Sequence, residues 1–181
     1  MKYASVCLLI PALMAPLSAA AEERVFVQVP AMIDPAAAIP TAVRSQCAVD
    51  TLMGSYALSA IGKRVPAVQA AATSAQAGGD TFVQLTVLSV MGFGGGSWSG
   101  PKSMTIRAEV LKGGAVVGTT VLSRSSSGGA FGGFKGTCSI LERVAVTLGK
   151  DVSGWLARGP SGQAGKPDAA AAAEPQGEPA R

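Results

Sequence analysis

Histidine is absent from all 181 residues of the sequence. That single absence excludes a Ser-His-Asp triad, a Cys-His dyad and histidine-ligated zinc or haem. Charge is sparse at 14%, and from Arg24 to Arg158 the acids stand apart at Asp34, Asp50, Asp80, Glu109, Glu142 and Asp151. No two are close enough in sequence to read as the paired carboxylates of a glycosidase. There is no Cys-x-x-Cys, so thioredoxin-type redox chemistry lacks its motif. The inventory points to a protein that is not an enzyme and takes no cofactor and no metal. Net charge is only +4, from 15 Lys and Arg against 11 Asp and Glu. Nucleic-acid binding needs a denser basic stripe, whereas weak attraction to an anionic envelope component suits this balance.

What is present begins with a leader. Lys2 gives a positive start, "YASVCLLIPALMAPL" is apolar, and "SAAA" offers small residues for cleavage near Ala20 or Ala21. Pro11 and Pro16 break the run, which is shorter than the roughly 20 apolar residues of a membrane span. Residues 1–21 therefore read as a cleaved signal peptide, and the expected location is the bacterial periplasm, with no transmembrane anchor. Residues 22–158 read as one small domain. From Gly159 the chain is rich in Pro, Gly and Ala without an aromatic or branched aliphatic residue, so 159–181 reads as a disordered tail.

Once Cys7 leaves with the leader, Cys47 and Cys138 remain. In an oxidising compartment an even pair reads as a disulfide; two separate buried thiols are the alternative.

The hydropathy pattern predicts an α+β fold: an antiparallel β-meander packed on one face by two helical segments. "RVFVQV" alternates as a short strand ended by Pro30, and "DPAAAIP" reads as a linker. A helix follows from Pro40, with a break near Asp50, and the apolar spacing from Leu52 to Ile61 continues it until Gly62. "VPAVQA" is a weak strand. Strands over 81–91 and 103–111 follow, with Val83, Leu85, Val87 and Met91 on one face of the first, and Gly113-Gly114 turns the chain into a third strand ending at Arg124. The amphipathic stripe from Leu141 to Leu156 predicts a last helix from Ser139, with Ser139 and Glu142 at capping-box spacing.

Two glycine-rich stretches, 92–102 and 125–136, lie at the end opposite the Gly113-Gly114 turn. "GGAFGGFKGT" has the flavour of a phosphate-gripping loop, but Phe134 precedes Lys135 and Gly136 separates it from Thr137. Both adjacencies of G-x-x-x-x-G-K-[ST] are broken, and the loop follows a hairpin rather than opening a parallel unit, so no nucleotide is expected. The stretches bring Phe93, Trp98, Phe131 and Phe134 near Lys102, Arg124 and Lys135. These seven residues form a candidate recognition surface. The alternative, that the rings fold inward over the sheet end, is the commoner fate of aromatics.

The blocks "GGGSWSGPKSMTIRAEVL" and "GGAFGGFKGTCSILERVAVTLGKDVSGWL", with "VRSQCAVDTL" upstream, resemble a group of uncharacterised exported proteins of Gram-negative bacteria over residues 41–158. The resemblance implies a small α+β envelope domain and is consistent with a partner for Cys138 in the upstream "SQC" segment. It carries no catalytic residue and no ligand. The function expected is a non-catalytic, envelope-associated binding or assembly accessory, partnered by another envelope protein or an anionic envelope component. The rival class is a hydrolytic or redox enzyme sited at the glycine-rich loops.

Overall fold

A computed structural model of the chain describes residues 24–92, 101–127 and 135–160. In chain order the elements are β1 (Val25–Gln28), β2 (Met32–Ala38), α1 (Thr41–Gln46), α2 (Val49–Gly62), β3 (Val68–Ala71), a 3-10 turn (Ser74–Ala77), β4 (Thr81–Met91), β5 (Lys102–Lys112), β6 (Ala115–Ser126) and α3 (Thr137–Ala157). They build a single α+β layer pair: one six-stranded sheet with α2 and α3 against one face.

The sheet is mixed, which corrects the expectation of a purely antiparallel meander. Its order is β3-β1-β4-β5-β6, with β2 also on β4. Only β4, β5 and β6 run as the antiparallel meander; β1 pairs parallel with both β3 and β4, and β2 pairs parallel with β4. Two short strands thus share one long edge. β1 takes Thr81–Val83 of β4, and β2 takes Thr86–Ser89. Leu85 N–H falls in the interval between them, and the buried Gln28 side chain fills it by accepting that hydrogen at 3.1 Å. A buried amide left without a partner there would cost about 1–3 kcal/mol.

The segment "DPAAAIP" is not a linker: its first five residues complete β2. Pro35 is tolerated because β2 meets only one neighbour, so the missing N–H breaks no central ladder. The helical break falls at Cys47 and Ala48 rather than Asp50, and Asp50 sits in the first turn of α2, where its carbonyl accepts from Ala31 N–H. On β4 a bulge between Val87 and Ser89 swaps the faces beyond it. Val90 is therefore buried, and Met91, expected inside, is 59% exposed.

β5 obeys its alternation: Met104, Ile106, Ala108 and Val110 face the helices and are fully buried. With Val83, Leu85 and Val87 they meet Met53, Ala57 and Ile61 of α2 and Leu141, Val144, Leu148, Val152 and Trp155 of α3. On the opposite face a smaller cluster gathers Phe26, Phe82, Ala71 and Ala77 under the 3-10 turn. α2 and α3 run parallel: the backbone at Tyr56 and Ala57 lies against Gly149, and one turn later Ser153 donates to the carbonyl of Ala60 at 3.0 Å. At the other end Cys47 and Cys138 form a disulfide, tying the end of α1 to the first turn of α3.

The capping box does not form. α3 starts at Thr137 behind Gly136, with no side-chain cap, and Glu142 instead accepts the hydroxyl hydrogen of Tyr56. That hydrogen bond, then burial, then the charge of Glu142 raise the Tyr56 phenol above the usual 10.0. The other tyrosine is Tyr3. In a chain beginning at Glu22, Tyr56 should ionise later than free tyrosine, and Glu142→Gln should bring it back down. Ultraviolet titration of the phenolate reads both curves; coincident curves would exclude the bond.

Candidate functional site

The ends of β4, β5 and β6 at Met91, Lys102 and Ser126 register with one another, so the two glycine-rich stretches do emerge together, opposite the Gly113-Gly114 turn. Both turn glycines have positive φ, +57° and +81°, as a tight two-residue hairpin requires. Of the seven residues of the expected recognition surface, Phe93, Trp98, Phe131 and Phe134 lie outside the described residues. The cations are placed differently from that expectation. Lys102 is fully buried at the head of β5, its stem running past Gly92, which Thr137 also approaches. Arg124 stands on the helix-facing side of β6 and binds Asp151 of α3 through Nε at 2.7 Å. It clasps sheet to helix. Lys135 is half-buried just ahead of α3.

Against the expectation that no S-x-x-K accompanies the serines, Ser99 and Lys102 stand at that spacing of serine-lysine hydrolases. That spacing works when one helical turn stacks the two side chains. Here Lys102 opens a β-strand rather than lying on a helical turn, and Ser99 lies outside the described residues. Among the described residues no three Asp, Glu or Cys side chains gather as a metal site, and no helix is long and apolar enough to cross a membrane.

The surface that does present a feature is the edge formed by β6. It is the last strand in the sheet order, 12 residues long, against four residues in β3 at the other edge. Val116, Val117 and Val121 are 55%, 42% and 41% exposed. Between Lys112 and Arg124 the sequence holds no charged residue and no proline. Edge strands usually carry such residues because an open row of N–H and C=O groups otherwise invites another strand. A register shift near Val117 twists the turn-proximal end, leaving Gly118 to Ser126 in regular pairing with β5. The sequence signal for this edge was available in that run of uncharged residues, but which strand ends the sheet depends on the long-range order.

No family model matches the chain, and no curated protein does. Among solved structures, the chain is similar to a leucine-to-methionine variant of PelC from Paraburkholderia phytofirmans, described as a dodecamer, with 18% identity over 72% of this chain and 85% of that one and a TM-score of 0.47. A second PelC dodecamer from the same organism has 15% identity, 72% and 89% coverage and a TM-score of 0.45. A Xanthomonas campestris protein described under the family DUF330 follows, with 13% identity, 75% and 86% coverage and a TM-score of 0.38.

Proposed function

We propose that the chain is a non-catalytic, exported assembly domain of the cell envelope that docks through β6 onto a strand of another protein chain. The observation that carries this reading is the long edge strand, free of charge from Ala115 to Ser123, with its three exposed valines. Strand addition uses backbone hydrogen bonds for affinity and alternate side chains for selectivity. Val121 lies opposite Arg107 on the sheet face away from the helices, so an added strand would extend that face. Export is supported by the leader pattern and by a disulfide whose cysteines lie 91 residues apart.

The test is site-specific photo-crosslinking in cells. A photoreactive residue at Val117 should give a discrete adduct with another chain, while one at Gln69 on the short β3 edge should not. Val121→Lys should cut the adduct yield by about tenfold, because a charge would then be buried against the incoming strand. Equal labelling from both edges, or adducts indifferent to Val121→Lys, would reject the reading.

A further inference from the structure

Where α2 and α3 end, the sheet and helix layers part and leave a cavity of about 300 Å³ open to solvent. Its wall is apolar: Val25, Ile61, Val65, Val110 and Leu156 supply most of it. The Ser153 hydroxyl on that wall is already committed to the carbonyl of Ala60. The volume stands at the lower end of the range for small-molecule sites. No Asp or Glu lines it, and Arg64 and Lys112 do.

The charge around the mouth has a definite sign. Both parallel helices direct their carbonyl ends here, together worth about one negative charge. Against that stand Lys63, Arg64 and Arg158, all within two residues of the helix ends. Of the acids next to lining residues in sequence, Asp80 beside Thr81 is held by Arg24 at 2.8 Å and Glu109 beside Val110 by Arg107 at 3.6 Å. Three cations exceed what one unit of helix charge needs for compensation. An apolar pocket under a net positive rim is complementary to a hydrocarbon chain ending in an anion.

We infer that this cavity binds a single-chain anionic amphiphile, a medium-chain fatty acid, with its chain among Ile61, Val110 and Leu156 and its carboxylate at Arg64. The inference rests on the cavity alone and stands apart from strand docking at β6, so either can fail without the other. Residues 161–181 follow directly from Pro160, which also lines the cavity, and are the competing occupant. They hold no aromatic or branched aliphatic residue with which to fill an apolar wall.

Calorimetric titration of the full chain with decanoate, octanoate and methyl decanoate tests it. Decanoate should bind saturably, and removing two methylenes should weaken binding about fifteenfold. Arg64→Glu should weaken decanoate about tenfold and leave the neutral ester unchanged. Ala157→Trp, placed at an exposed wall position, should abolish decanoate binding while the unliganded protein melts as before. Absence of saturable binding would overturn the inference, and so would binding indifferent to Ala157→Trp. If decanoate fails to bind and Ala157→Trp exposes Ala169–Ala173 to elastase, the chain's own C-terminal stretch is the occupant instead.

Discussion

Alanine at both Cys47 and Cys138 should lower the stability of the fold by about 4 kcal/mol. The cross-link joins residues 91 apart, and on the chain-entropy model closing a loop of that length restricts the unfolded ensemble by roughly 4–5 kcal/mol. Local packing adds little, because alanine keeps the small apolar character of Cys47, 4% exposed, and of the half-buried Cys138. Set against the roughly 5–15 kcal/mol that holds a typical domain together, that loss is a large share. Guanidinium unfolding of the double variant beside the oxidised parent gives the number. The parent in reductant should follow the variant, since both remove the same restriction. A loss below about 1 kcal/mol would mean that the unfolded chain is already restricted by residual structure.

The second large effect sets two glycines of α3 against each other. An alanine Cβ at Gly149 would stand 2.7 Å from the carbonyl oxygen of Tyr56 and 2.8 Å from its carbonyl carbon. These are backbone atoms of α2 and cannot rotate away, so the parallel helices would have to separate and loosen the layer that packs on Met104 to Val110. Helix propensity favours alanine over glycine by about 1 kcal/mol, but overpacking a tight core contact costs about 1–3 kcal/mol and sometimes more. The steric term wins, and Gly149→Ala should destabilise by about 2 kcal/mol. At Gly154 the same Cβ would meet only the Arg158 guanidinium at 3.5 Å, the free-swinging end of a long side chain. There propensity wins, and Gly154→Ala should stabilise by close to 1 kcal/mol. Melting the two variants side by side tests the sign as well as the size. Two shifts of the same sign would refute the close helix approach at Gly149.

How much of this could be read from the residues follows from how local each cause is. The alternation of β5 and the long stripe of α3 are written in consecutive side chains, and both elements lie where the pattern puts them. β2 was illegible because "MIDPAAA" neither alternates nor buries; it is a strand only because β4 offers it half an edge. The parallel pairings of β1 are equally silent, since their partners lie more than forty residues downstream. Met91 was misplaced by a bulge that no residue type announces. Lys102 and Arg124 were read as surface cations on charge alone. One is enclosed at a junction of three segments, and the other answers an aspartate on the facing helix. The cavity at the helix ends has no sequence signature, for its wall is assembled from the tips of five elements and their connections.

β1 lies inside the sheet, yet it is the first element of the fold to leave a ribosome or a secretion pore. Neither strand that flanks it has been delivered by then: β3 begins at Val68 and β4 at Thr81. For all that interval Val25, Phe26 and Val27 form a sticky, unmet ribbon, and the sheet cannot close until β4 arrives. Early in synthesis those residues gain from shelter, and a bulky fusion placed directly before Arg24 would sit one residue from a strand that must fit between two neighbours delivered after it.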